Sequence, residues 1–124
     1  MAFNTTVDVL TSAARTATVN SDWIKNRHTK AMHVVINVTS ITATPSITPK
    51  IEGCDPISGT AYTILEGLAM TATGTQVLKV GLGIAASANA SAQDMIPSAW
   101  RVTVTHADTD SITYSVAANI TDSE

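Results

Sequence analysis

Hydrophobic and polar residues alternate along this chain in short runs, and the clearest run lies near the C-terminus. Within residues 100–116, Trp100, Val102, Val104 and His106 alternate with Arg101, Thr103 and Thr105. Beyond Ala107, Asp108, Thr109 and Asp110, the residues Ile112, Tyr114 and Val116 alternate with Thr113 and Ser115. A period of two places one set of side chains on one face of a strand. Two such runs across a short polar break predict an antiparallel hairpin with Trp100, Val102, Val104, Ile112, Tyr114 and Val116 in the core.

Weaker copies of the pattern fill the rest. Residues 15–20 alternate Ala17 and Val19 with threonines, and Asn20, Ser21 and Asp22 break the run. Residues 31–42 carry the most apolar stretch, with Val34, Ile36 and Val38 on one face and some hydrophobes on the other, as a central strand requires. Ile47, Pro49 and Ile51 form a further alternating run, and Pro49 predicts an edge position or a bulge because it lacks a ladder donor. Residues 61–65 and 76–80 are short strands. Residues 84–96, rich in Ala, Ser and Asn, read as a long loop or one or two helical turns. The expectation is an all-β, antiparallel β-sandwich of seven or eight short strands, jelly-roll-like or immunoglobulin-like. A single sandwich domain over residues 13–118 is flanked by a candidate N-terminal arm, 1–12, and an acidic C-terminal tail, 119–124.

Composition sharpens this picture. Charged residues make up 14% of the 124, and Thr, Ser and Ala take their place. Threonine suits a pleated surface. A net charge of −3 disfavours nucleic acid as a partner, which wants a basic face. With one cysteine, Cys54, no internal disulfide can form. The N-terminus lacks the basic and apolar regions of a signal peptide, and no apolar run reaches the roughly 18 residues of a membrane span. The sequons at Asn4, Asn37, Asn89 and Asn119 are products of a Thr/Ser-rich chain. The one basic cluster is WIKNRHTK, with Trp23, Lys25, Arg27 and Lys30; together with Phe3 these are the candidate partner contacts.

Sought chemistry is mostly missing. Gly81, Gly83 and Ala86 fit G-x-G-x-x-A after a strand, but no further βαβ unit follows to complete a dinucleotide site. His28, His33 and His106 lack metal-ligand spacing. Asp108 and Asp110 make a D-x-D turn in which capping is the expected role. Neither a nucleophile elbow nor a Walker A loop occurs. No enzyme, no cofactor and no metal site is expected.

Two stretches nonetheless carry a resemblance. Residues 45–65, PSITPKIEGCDPISGTAYTIL, and residues 78–116, with KVGLG, a Pro97-x-x-Trp100-Arg101-Val102 entry and THADTDSITYSV, are similar to small virion structural proteins of tailed bacteriophages, in the head decoration (capsid cement) and head-accessory class. Leu82 stands where relatives are expected to have proline. The resemblance covers roughly the C-terminal two-thirds and transfers no catalytic residue. It implies a protein made in the host cytoplasm and placed on the capsid surface of the virion. Its partners are then the phage major capsid protein and copies of itself, as dimer or trimer, with neither nucleic acid nor membrane. A head–tail connector or tail-tube subunit and a carbohydrate-binding surface module are the competing readings. Residues 1–10 are the candidate strand-adding arm, and WIKNRHTK the candidate electrostatic contact with an acidic surface.

Overall fold

A computed structural model describes residues 2–26 and 29–123, with residues 2–4, 122 and 123 described by backbone alone. The strands are β1 (Ala2–Arg15), β2 (Val19–Asn20), β3 (Ile24–Lys25), β4 (Thr29–Ile41), β5 (Ile47–Cys54), β6 (Ala61–Glu66), β7 (Gly74–Gly81), β8 (Ser91–Ala92), β9 (Ala99–His106) and β10 (Ile112–Ser123). They form two five-stranded sheets. One has the order β1-β10-β4-β7-β8; the other runs β2-β9-β5-β6, with β3 also on β9. All pairings are antiparallel except β7 with β8. The all-β sandwich is as expected, with seven substantial strands and three of two residues each.

The strand order decides between the two sandwich types. The chain behaves as one long hairpin folded at the β5–β6 turn. Strand β5 pairs with β6, β4 with β7, β2 and β3 with β9, and β1 with β10, and successive pairs alternate between the sheets. That nesting is the jelly roll, not the immunoglobulin arrangement.

It also corrects the hairpin expected over residues 100–116. Strands β9 and β10 lie in different sheets, and β9 pairs with β5 while β10 pairs with β1 and β4. The alternation correctly marks a buried face on each strand, because Trp100, Val102, Val104, Ile112, Tyr114 and Val116 are all buried. Those faces meet across the core rather than lying side by side. Residues 107–111 connect the strands. Five extended residues reach about 16 Å, enough to cross the ~10 Å between packed sheets. The Asn-Gly or Asp-Gly signal of a tight hairpin turn is absent from this connection.

Strand β4 is central, as its two-sided hydrophobicity predicts, with β10 on one side and β7 on the other. Met32, Val34, Ile36 and Val38 form its buried row. Strand β5 is interior, so the edge position offered for Pro49 is not taken. The Pro49 carbonyl accepts from the Gly67 N–H just past the end of β6. Its backbone therefore faces the place where β6 leaves the sheet, and no ladder donor is missed. A register shift does follow, between Ile51 and Glu52. The segment 84–96 holds turns and β8, not a helix.

The described parts of both flanking segments, residues 2–12 and 119–123, belong to sheet ladders. Strand β1 pairs with β10 from Ala2↔Ser123 to Arg15↔Ile112, so the boundaries drawn at 12/13 and 118/119 fall inside strands. The weak patterning of the N-terminus has a physical cause. Strand β1 is the last in its sheet, Thr5, Thr6 and Asp8 are exposed, and register shifts between Asp8 and Leu10 and between Leu10 and Ala13 interrupt the alternation.

Candidate functional site at one end of the sandwich

The nested topology gathers distant sequence at one end. Strand β7 ends there, with Gly81 opposite Ala31 near the start of β4. Strand β5 ends there too, with Gly53 opposite Trp100 near the start of β9 and opposite Tyr62 in β6. Asn26 ties the sheets together at this end. Its N–H donates to Ser98 O, its Nδ2 donates to Ile96 O at 2.8 Å, and its Oδ1 accepts from the Thr29 N–H at 2.7 Å. The β5–β6 turn is fixed by Asp55, which accepts from the N–H groups of Ile57 and Ser58. Those bonds hold the Asp55 carboxyl below its ordinary 3.8.

Large apolar side chains project from this frame. Ile57 is 93% exposed, Leu82 74%, Met95 62% and Tyr62 47%. They are four of the seven exposed large hydrophobics among the described residues; Ile41, Leu68 and Val77 lie elsewhere. The Tyr62 ring packs over Gly53 beside Pro97, where a Cβ on Gly53 would lie 2.5 Å from Tyr62 Cζ and 2.9 Å from Pro97 Cγ. The missing Cβ at Gly53 makes room for these rings as they stand.

The candidate contacts fall at the same end, not all in the expected form. Lys25 and Lys30 are exposed. Trp23 is half-buried, with the Arg101 guanidinium 4.5 Å from its ring centroid. Arg27, like His28, lies outside the described residues, as does the side chain of Phe3, whose backbone pairs with Asp122 in β10. Asp22 and Asp94 are also exposed. A depression of about 420 Å³ lies nearby, between Thr5 and Thr6 of β1, Asn119 and Thr121 of β10, and Ala31 and His33 of β4.

Trp23 leads into a charged cluster on the outer face of the second sheet. Glu52 is 6% exposed. Its Oε1 accepts from Arg101 Nε at 2.9 Å and from the Thr103 hydroxyl at 2.5 Å, and its Oε2 lies 3.5 Å from Lys50 Nζ. Asn20 Oδ1 is 2.9 Å from the same hydroxyl. Burial pushes the Glu52 carboxyl up, but the Thr103 and Arg101 bonds and the charges of Arg101 and Lys50 outweigh it, leaving the group below its ordinary 4.5. No expectation from the sequence singled out Glu52 or Arg101 as partners. The only available signal was same-face parity within Lys50-Ile51-Glu52.

The remaining polar features are structural. Asp108 accepts from Asp110 N–H, and Asp110 Oδ2 accepts from Thr44 N–H, so the D-x-D pair caps the β9–β10 connection. His106 Nε2 lies 2.9 Å from the Tyr114 hydroxyl across the core. Burial pushes the Tyr114 phenol up to about 12, against the pull of Arg15. Burial likewise lowers the His106 imidazole from 6.5, with Asp108 opposing and Arg15 reinforcing. Gly81 ends β7 and Gly83 has a φ of 87°, a turn conformation with no helix after it. Cys54 is a free, partly buried thiol. Among the described residues no group of three or more His, Cys, Asp or Glu is placed to hold a metal ion. No protein-family model, curated protein or solved structure matches the chain.

Proposed function

We propose that this chain is a non-enzymatic virion structural protein that binds the outside of a phage capsid and stabilises contacts between major capsid subunits. The observation that carries the reading is the gathering of Ile57, Tyr62, Leu82 and Met95, with Trp23, Lys25 and Lys30, at one end of a jelly roll whose interior is filled by its own side chains. Apolar residues on hydrogen-bonded loops suit a protein surface better than a small molecule. The resemblance of residues 45–65 and 78–116 to phage head proteins supports the major capsid protein as that surface. Affinity per copy need only be modest, because a lattice engages many copies at once.

The test is addition of the purified protein to capsids that lack it, followed by quantification of bound copies against the major capsid protein and by thermal disassembly. Saturation in proportion to the major capsid protein, with a raised disassembly temperature, is the expected result. Replacing Leu82 and Met95 with aspartate should abolish binding while leaving the circular dichroism spectrum intact. Copies amounting to a single ring would instead indicate a neck or tail-tube subunit. Failure to bind, with glycan-array hits that depend on Tyr62, would indicate a carbohydrate module.

A further inference from the structure

The outer face of the β1-β10-β4-β7 sheet carries a pattern that the core does not require. Val34, Leu78 and Ala118 are buried, so their neighbours in sequence point outward. The register sets Asp8, Ala117, Val35 and Val77 side by side across β1, β10, β4 and β7. The outward row on one side of them is Thr6, Asn119, His33 and Lys79; on the other side lie Ser115, Asn37 and Thr75. Val77 is 37% exposed, Ala117 is exposed and Val35 is half-buried. The face is therefore apolar at its centre. It has an exposed carboxylate, Asp8, on one lateral strand and an exposed ammonium, Lys79, on the opposite one. The outer face of the second sheet is built differently, because there Lys50, Glu52 and Arg101 pair within the chain.

A face with opposite charges on its two sides is complementary to itself in one orientation. A two-fold axis lying in the face, parallel to the strands and between β10 and β4, exchanges its two sides. Val35 then lies opposite Ala117 of the second copy, Val77 opposite Asp8, and Lys79 opposite Thr6. Lys79 is one outward position from Val77, so its long side chain reaches Asp8 of the second copy. Asp8 already accepts from the Thr11 hydroxyl at 3.1 Å, and a carboxylate has lone pairs for a further donor. The depression of about 420 Å³, bordered by Thr6, His33 and Asn119, gives the incoming lysine room. A two-fold axis across the strands would instead keep β1 over β1 and β7 over β7, gathering like charges.

We propose that this face docks a second copy of the chain about a two-fold axis parallel to the strands, with Val35, Val77 and Ala117 at its centre and an Asp8–Lys79 ion pair at each margin. Four strands ~4.8 Å apart and three outward rows ~6.8 Å apart cover roughly 400 Å² per copy. A standard interface buries about 800 Å² per partner, so the dimer is a weak one. The margin pairs fix its orientation more than they tighten it. The interface is isologous and closed, which gives a dimer and not a fibre. It uses the sheet face rather than the apolar loop end, and it is a property of the free protein.

Sedimentation equilibrium of the full chain tests it. A monomer–dimer equilibrium with a Kd below about 1 mM is expected, weakening as salt screens the margin pairs. Val77→Asp sets a carboxylate opposite Asp8 of the second copy and should weaken the dimer by about tenfold or more. Asp8→Lys and Lys79→Asp should each weaken it too, because each leaves like charges at both margins. Asp8→Lys combined with Lys79→Asp restores opposite pairs and should recover association, a rescue that a purely structural role for either side chain would not give. All three positions are exposed, and circular dichroism checks that each variant keeps its fold. A chain that stays monomeric at about 1 mM overturns the proposal. So does a Val77→Asp dimer of unchanged affinity, or a charge-exchanged double variant that associates no more tightly than its single parents.

Discussion

Replacing Glu52 by glutamine tests how the outer charged cluster contributes to stability. The side chain keeps its volume but loses its charge. Wild-type Glu52 accepts charge-assisted bonds from Arg101 and a bond from Thr103, and Lys50 lies 3.5 Å away. A hydrogen bond to a charged group contributes about 1.5–3 kcal/mol. Arg101 keeps some solvent and its stacking on Trp23, and the Glu52 side chain keeps 8% of its exposure, so neither partner is fully desolvated and a value within that range applies. A loss of about 2 kcal/mol at pH 7 is expected. For a chain of this size that lowers Tm by roughly 8 °C. The pH dependence is the sharper test. The folded-state pKa is lowered, so the stabilisation is complete above the ordinary 4.5 and is lost as pH falls through the folded value. Urea denaturation of both proteins from pH 7 to pH 3 should therefore show their stabilities converging in acid. Equal stabilities at pH 7, or a gap that stays constant down to pH 3, would refute the view that Glu52 is held by its cations and the Thr103 hydroxyl.

Three other perturbations read separate parts of the structure. Gly53→Ala places a Cβ against Tyr62 and Pro97 and should destabilise by about 1–3 kcal/mol. Adding Tyr62→Ala should recover much of that loss in a double-mutant cycle, whereas strict additivity would mean the ring is not the obstacle. Leu78→Ala, at a fully buried site in β7, should cost about 2–5 kcal/mol by urea denaturation, and a cost below 1 kcal/mol would place Leu78 outside the core. Tyr114 should ionise near 12 in an ultraviolet titration. Because its folded pKa lies above the ordinary 10, stability should decline as pH rises beyond 10, and Tyr114→Phe should remove that part of the decline.

Much of the fold was legible because burial leaves a period. The inward rows of β4, β9 and β10 are all continuous in the sequence, and each is buried. Pairing is a different matter. Period two marks a buried face but does not say whether the next strand lies beside it or opposite it, which is why residues 100–116 read as a hairpin. The three two-residue strands leave no period at all, and the register shifts in β1 erase the alternation that would have marked it. The candidate site was legible only in part. Trp23, Lys25 and Lys30 formed a local cluster, but Ile57, Leu82 and Met95 are single hydrophobes in unrelated loops. Only the jelly-roll nesting of β5 with β6 and of β4 with β7 brings those loops to one end.

That nesting also separates the docking end from the core, which makes the proposed function testable without unfolding the chain. Ile57, Leu82 and Met95 lie in the β5–β6 connection, just after β7, and between β8 and β9, and all three are exposed. The buried rows of the two sheets do not include them. Substitutions at exposed positions usually change stability by no more than about 0.5 kcal/mol. Leu82→Asp alone should therefore leave the urea denaturation midpoint nearly unchanged. It should nonetheless speed dissociation from immobilised capsids in surface plasmon resonance by about tenfold or more, because a carboxylate pressed against an apolar partner surface must shed its water. A Leu82→Asp variant that dissociates at the wild-type rate would place the capsid contact elsewhere on the molecule, and one that is strongly destabilised would mean that Leu82 is packed and not presented.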